Sequence, residues 1–522
     1  MIFVTLKSCN MKSKSLGYYS SLLILIIVTN VSCTKLDTTA YDRVLPSSLQ
    51  THEQVASGVG AVYSWLRGYA DDIYALNELS TDEIIAPIRG GEWDNTVEWE
   101  QLWKHTWDAN NSFVGRAWQF IYGGLARVNS MLQVVNAVNP KPVDWNATQA
   151  ELKTVRAFYH YLAIDLFGNA PIFDSSYTDL SKVRTRTRSE VFSFIEKELK
   201  DNIQYLSQEV NPYTYGRATQ WFARALLAKL YLNAQVYTGT TKWAECIAAC
   251  DAILNSNNYS LETDFFNNFK IANEGSRENI FVIPYDREAG LDFFIIQQLT
   301  LHPNSSATFG LESGGVNRYC STAEYYNLFA PADARRKMFL VGQQYINQVP
   351  DPANVQFDNS GYPLSFDPVI TSFKLQDPKR ETAGARCAKW EFNKKGWGNM
   401  SNDFAIFRLA DIILMKAEAE LMNGNLNQAL ATINQKVYGV SIRGRANLPD
   451  FTAGEMTPDN LLKERACELS WEGWRRNDMI RLGHYLDARI PEKGISEDFR
   501  KLFPIPKPEL LKNPYLVQNP RY

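Results

Sequence analysis

Apolar residues in this chain return at three- and four-residue steps, segment after segment, and the segments come in pairs divided by short polar breaks. That pattern is the signature of stacked amphipathic helices. Leu152, Val155, Tyr159, Leu162 and Leu166 make one stripe. Phe192, Ile195, Leu199, Ile203 and Leu206 make the next, behind a capping-box pattern at Thr187 and Glu190. Residues 219–237 are apolar on more than one side, with Trp221, Ala225, Ala228 and Leu232 against Phe222, Leu226 and Leu230, which predicts a helix packed between others. After Gly239 a further stripe follows at Trp243, Ile247, Cys250 and Leu254. The clearest pair is Ala410, Ile413, Ala417 and Leu421, a stop at Asn423-Gly424-Asn425, then Leu426, Ala429, Leu430, Ile433 and Val437. Ala417 and Ala429 stand twelve apart, as do the small residues that let the two helices of a tetratricopeptide hairpin approach closely, although the full consensus of about 34 residues is absent. The expected fold class is mainly α, built from tetratricopeptide-like helical hairpins.

Between about 257 and 402 the periodicity stops. Gly, Pro, Asn and Asp punctuate short apolar pieces such as Ile280-Phe281-Val282-Ile283, predicting a loop-rich half with a few short strands. Loops of that extent in a folded domain usually carry function, so the ligand is expected there and near the glycines at 90 and 91.

The N-terminus reads as an address. Met11-Lys12-Ser13-Lys14 is basic, and residues 22–28 form a seven-residue apolar run. Seven helical residues rise only about 10 Å against a bilayer core of about 30 Å, so the run is a signal peptide and not a spanning helix. Translation is open to starting at Met1 or Met11. Cys33 after Ser32 resembles the lipobox of bacterial lipoproteins, with Asn30 where an aliphatic residue is usual; ordinary secretion with cleavage nearby is the alternative. Removing residues 1–32 takes away Lys7, Lys12 and Lys14 and no acid, so the formal charge moves from -3 to -6. With no basic block, a nucleic-acid partner is unsupported.

Catalytic signatures are scarce. The five histidines share no metal-ligand spacing, and HExxH, CxxC, GxSxG and phosphate-loop patterns are missing. Asp82-Glu83 is an adjacent acid pair, expected to be solvated. Trp99, Trp103 and Trp107 repeat every four residues, as a helix stripe packed in the core would. Cys246 and Cys250 belong to an apolar face, not to a disulfide framework. The charge-dense run from Glu464 to Arg481 suggests a structural ion-pair network, with Glu472–Arg476 and Asp478–Arg481 as helix neighbours.

Glu464-Arg465-Ala466-Cys467-Glu468-Leu469 followed by Trp471-Glu472-Gly473-Trp474-Arg475-Arg476-Asn477-Asp478-Met479-Ile480-Arg481 resembles the C-terminal signature of SusD/RagB-type outer-membrane nutrient-binding lipoproteins. Further blocks in family order are Cys33 with Leu36-Asp37, Arg156 to Gly168, Tyr215 to Leu232, Arg408 to Ala419, and Phe503-Pro504-Ile505-Pro506 through Asn519-Pro520. Arg521 departs from the usual Gly. The resemblance implies one domain over residues 33–522 after a signal peptide at 1–32. Its helical scaffold would occupy about 50–256 and 403–485, a ligand-side insert about 257–402, and an extended C-terminal segment 486–522. It implies a lipid-anchored, outward-facing outer-membrane protein that binds an oligosaccharide or glycan without cleaving it, as partner of a SusC-like TonB-dependent transporter; no cofactor and no metal-ligating residues are expected, and a structural metal stays open.

Sugars offer apolar faces to aromatic rings and hydroxyls to planar donors and acceptors. Family contacts carried onto this chain fall on Asp82, Arg89, Trp93 and Asn95, and Tyr285, Phe309 and Tyr319 are candidate aromatic platforms; Cys33 is the lipidation site. Two readings from other classes stay open: a tetratricopeptide-type module that binds proteins, and an all-helical glycoside hydrolase. A peptide ligand is also open.

Overall fold

The stripes fold as helices that pack one on the next. In the computed structural model, which describes residues 52–89, 97–141, 144–175, 182–291, 294–375, 381–396 and 399–522, helix His52–Trp65 lies on Ser112–Ala137, which lies on Trp145–Phe167, which lies on Arg188–Asn202. Gln220–Leu232 and Trp243–Leu254 form the next pair, and Trp243–Leu254 packs directly on Leu409–Met422, whose hairpin partner is Leu426–Ile433. The series therefore runs on across the whole insert as if residues 257–402 had been spliced between adjacent helices. Residues Leu49–Tyr522 form one compact unit. Among the described residues, no helix is long and apolar enough to cross a membrane.

Local sequence explains where helices start and stop. Thr187 accepts from the Glu190 N–H while Glu190 returns the bond, so the capping box forms as expected. Three helices end earlier than their apolar stripes. Ile203 begins a 3-10 turn, Asn233 interrupts 219–237, and the last hairpin helix stops at Ile433, short of Val437. Helix Trp145–Phe167 is buried around its whole circumference from Thr154 onward, not on one face only. Three of its charged or imidazole side chains are engaged: Arg156 on Glu198 at 3.0 Å, His160 between the Arg156 carbonyl and the Phe173 N–H, and Asp165 on Arg476 at 2.9 Å. Gly124 lets this helix come close, since a Cβ there would stand 2.3 Å from the Tyr159 ring. Each fully buried Leu, Val or Phe in these stripes contributes about 1.5–3 kcal/mol.

The insert is irregular, as its composition predicts, and Ile280–Ile283 does lie in a strand. Strand Asn279–Ile283 pairs antiparallel with Phe404–Arg408, in register Val282 to Ala405 and Ile283 to Phe404. Both strands are buried, and Phe281 stacks on Phe222 of the scaffold with centroids 3.8 Å apart. The pair closes the insert at its two ends and delivers Arg408 to the first turn of Leu409–Met422.

The Trp stripe is core, as expected, but helix Val97–Lys104 ends before His105, which takes φ +56°, so Trp107 reaches the core from the following loop. Its indole N–H donates to the Tyr522 hydroxyl at 2.7 Å, tying down the extended C-terminal segment.

The charge-dense C-terminal run is a buried ion network. Arg335 meets Asp333, Glu464 and Glu468; Arg408 meets Glu278, Glu468 and Glu472; Arg445 meets Glu278 and Glu468; Lys389 meets Glu472. A second cluster joins Lys229, Asp411, Arg465, Asp478, Arg481 and Glu418. Asp478–Arg481 forms at 2.8 Å as expected, whereas Glu472–Arg476 does not. Helix Pro458–Glu468 stops, Trp471 and Gly473 take φ of +61° and +85°, and a new helix begins at Arg475, so the two residues no longer share a helix face.

Candidate functional site

Seven residues with expected ligand contacts fall in different surroundings. Trp93 and Asn95 lie outside the described residues, as does Cys33. Arg89 sits half-buried at the end of a segment held by backbone bridges from Ile85 to Cys320 and from Ile88 to Lys374. Its guanidinium donates to the carbonyls of Glu381 (3.0 Å) and Ala383 (2.7 Å) and to Cys320 Sγ (3.1 Å).

A polar cluster surrounds that point. Asn317 Oδ1 accepts from Arg386 Nε and Nη2 at 3.2 and 2.7 Å, and Asn317 Nδ2 donates to the Glu381 carbonyl at 3.0 Å. Buried His302 is oriented by its backbone: the Asn304 N–H donates to Nδ1 at 3.1 Å, which leaves Nε2–H to donate to Glu381 Oε1 at 2.8 Å. That bond, the strongest influence on it, holds the Glu381 carboxyl below the usual carboxylate range. Beside the cluster, the Arg318 guanidinium lies 4.6 Å over the Trp99 ring, and Arg116 pairs with Asp71 at 3.0 Å and Asp72 at 3.3 Å. Burial raises Asp72 to about 6, with Arg116 opposing and Asp71 adding. The Trp99–Arg318 pair was hidden in the sequence because nothing local links positions so far apart.

Asp82 stands elsewhere, in the wall of a cleft of about 840 Å³ that Trp103, Met479, Arg489 and Ile490 also line. Both of its carboxylate oxygens accept from Arg475 at 2.7 Å. Burial works to raise its pKa, and the guanidinium outweighs burial and holds it below the usual range. The expected solvated pair Asp82-Glu83 is corrected here: Glu83 is buried against Glu78, where it receives the Trp471 N–H while Glu78 receives the Gly473 N–H at 2.6 Å. Three acids of one short segment thus grip the turn between the last two scaffold helices.

The aromatic platforms are redistributed by burial. Tyr285 is 2% exposed; its hydroxyl donates to the Arg67 carbonyl at 2.6 Å and its ring packs 5.3 Å from Phe294. Tyr319 is 3% exposed. Both are core side chains in this structure, not open platforms, because the strand before Tyr285 and the Cys320 bridge after Tyr319 carry them inward. Phe309, at the end of Ser305–Phe309, is half-buried and meets Phe392 edge-on at 4.9 Å.

Little here suits bond-making. All four histidines with described side chains are committed to structural bonds: His105 to Ser80 and Arg489, His160 and His302 as above, and His484 to Asp459 and Asp487. Burial takes His160 down to about 3. Among the described residues no group of His, Cys, Asp and Glu is placed to hold a metal ion. The five cysteines described are free and buried.

Comparison with known proteins fits this architecture. Residues 374–522 match the SusD family model, and residues 36–232 match a family described as starch-binding associating with outer membrane. The starch-binding protein SusD of Bacteroides thetaiotaomicron is 24% identical over 509 residues, covering 87% of this chain and 86% of its own. A laminarin-binding SusD-like protein superposes with a TM-score of 0.69 at 22% identity, covering 91% of this chain and all of its own. Surface glycan-binding protein A of Bacteroides thetaiotaomicron, solved with laminarihexaose, gives 0.68 at 20% identity over 90% of this chain. Two SusD-type models thus match in order, one at each end, and a SusD relative aligns along most of its length, so the chain is SusD-like over most of its extent.

Proposed function

We propose that this chain is a cell-surface lipoprotein, anchored in the outer membrane through Cys33, that binds oligosaccharides without cleaving them and passes them to a SusC-like TonB-dependent transporter. The observation that carries the reading is the alignment of nearly the whole chain with proteins described as binding starch, laminarin and laminarihexaose. The local chemistry supports it: the Arg89–Asn317–Glu381 cluster offers planar donors and acceptors beside aromatic rings, and the described histidines are all committed to the fold. The ligand contacts proposed are Arg89 with Trp93 and Asn95, with Phe309 at the edge. Asp82 is proposed to act from its own cleft.

The test is a glycan microarray with the purified chain, followed by calorimetry of the best ligand with Trp93→Ala. Saturable binding weakened about tenfold or more in the variant supports the reading. Unchanged affinity removes Trp93 from the site, and binding to peptides in place of glycans removes the function.

A further inference from the structure

Residues 342–366 leave the insert as a small arm. Strand Gly342–Gln343 pairs antiparallel with Ser365–Phe366, and bridges join Tyr345 to Val355 and Phe357 to Pro363. Backbone bonds from Gln344 to Leu364 (2.8 Å), Leu364 to Gln356 (2.7 Å) and Gln356 to Gln344 (3.0 Å) lace its three passes together, and the Gln343 amide donates to the carbonyls of Gln344, Gln356 and Leu364. At the tip, buried Asp358 accepts from the Ser360 and Tyr362 N–H groups at 2.9 and 2.8 Å, and Gly361 supplies φ +81°. The tip is therefore fixed before any ligand arrives.

Two aromatic side chains flank this tip and face solvent: Phe357 is 47% and Tyr362 41% exposed. The tip also adjoins the polar cluster. Asn359 Nδ2 donates to Glu381 Oε1 at 3.2 Å, Asn304 Nδ2 donates to the Phe357 carbonyl at 2.8 Å, and the Glu381 carbonyl is the one that receives Arg89. Charge narrows the choice of ligand. From residue 338 to 373 the sequence has no Lys, Arg or His and three acids, Asp351, Asp358 and Asp367, while Asn347 and Gln348 stand exposed as amides. Rings on a rigid support, with amides and with no cation on the arm itself, suit the C–H face and hydroxyls of an uncharged sugar. The arm itself has no cation to meet a carboxylate or sulfate group, and its charges are all negative.

We propose that the arm tip, through Phe357 and Tyr362, is a contact platform for neutral oligosaccharides, extending the Arg89 surface. This rests on the glycan-binding reading above and adds its own site and ligand class. Because the tip is held by Asp358, little ordering entropy opposes stacking on it.

The test uses the purified chain and its Phe357→Ala, Tyr362→Ala and double variants on a microarray of neutral oligosaccharides, laminarihexaose among them, beside oligogalacturonates and sulfated glycans. Calorimetry then follows on the best ligand. Both side chains are exposed, so thermal midpoints should match the unsubstituted chain. The expected result is preference for a neutral glycan, weakened about threefold to tenfold by either substitution and at least about tenfold by both. Neutral-glycan binding left unchanged by the double variant overturns the arm platform and spares the glycan reading. Preference for the anionic glycans overturns the ligand class. No glycan bound by the unsubstituted chain overturns the glycan reading itself.

Discussion

Arg408→Met should be among the most damaging single substitutions in the C-terminal network. The Arg408 guanidinium is buried and donates to Glu472 at 2.7 and 2.8 Å, to Glu278 at 2.7 Å and to Glu468 at 2.6 Å. The surrounding network is balanced: Arg335, Lys389, Arg408, Arg443 and Arg445 against Glu278, Asp333, Glu464, Glu468 and Glu472. Methionine fills similar volume and leaves one acid in excess, with Glu472 held only by Lys389. Breaking a buried pair from one side costs about 3–5 kcal/mol. An unfolding entropy of about 2.1 cal/mol/K per residue gives roughly 1 kcal/mol/K for a unit of this size, so the midpoint should fall by about 3–5 °C in calorimetry. The acid limb should move too. Burial works to raise Glu278 and Glu468, and Arg445 with Arg408 outweighs it, leaving both well below the usual range. A depressed carboxylate contributes stability that is present above its unfolded pKa of about 4.3 and lost as pH falls through the folded value. Losing Arg408 raises those folded values, so acid unfolding should begin at higher pH. Replacing Glu472 by Met as well should recover part of the loss by restoring balance. A midpoint within 1 °C of the parent and an unchanged acid limb would refute the reasoning.

Other perturbations follow from single contacts. Gly124→Val puts methyl groups into the Tyr159 ring and should cost about 1–3 kcal/mol, read as a lower denaturant midpoint; a neutral result would show that the two helices separate freely. Thr187→Ala removes the side-chain half of the capping box, the bond from the Glu190 N–H, while the residue-187 N–H still reaches Glu190, and should cost about 1 kcal/mol by the same measurement. Burial, opposed by Arg475, raises Glu83 to about 7, and Glu78 beside it is raised as well. A raised carboxyl favours the folded state at low pH and loses that contribution as pH climbs from the ordinary carboxylate range through about 7. Glu83→Gln should therefore flatten the decline in thermal midpoint between pH 5 and 8, and a decline of unaltered slope would assign it to other groups.

What was readable in the sequence was local. Stripes at Leu152–Leu166 and Trp243–Leu254, the capping box at Thr187 and the strand at Ile280–Ile283 need only neighbours a few residues away, and they fold accordingly. The misreadings are long-range. Nothing near Glu472 announces that the chain turns at Trp471 and Gly473, sending Glu472 to Arg408 and Lys389. Tyr285 and Tyr319 have the composition of platforms and the burial of core residues, while Phe357 and Tyr362 gain exposure from an arm whose register depends on partners about twenty residues apart. Glu83 is adjacent to Asp82 in sequence, but its carboxylate joins Glu78. Side-chain type limits what a residue can do, and long-range packing decides which of those roles it takes.

The central claim is that this chain binds glycans and leaves them intact. Calorimetric titration of the purified chain with its best array ligand, with chromatography of the recovered sugar after prolonged incubation, tests it most directly. The account predicts a saturable isotherm near one ligand per chain and an oligosaccharide of unchanged length. Shortened products, or no glycan bound at any concentration, would contradict it.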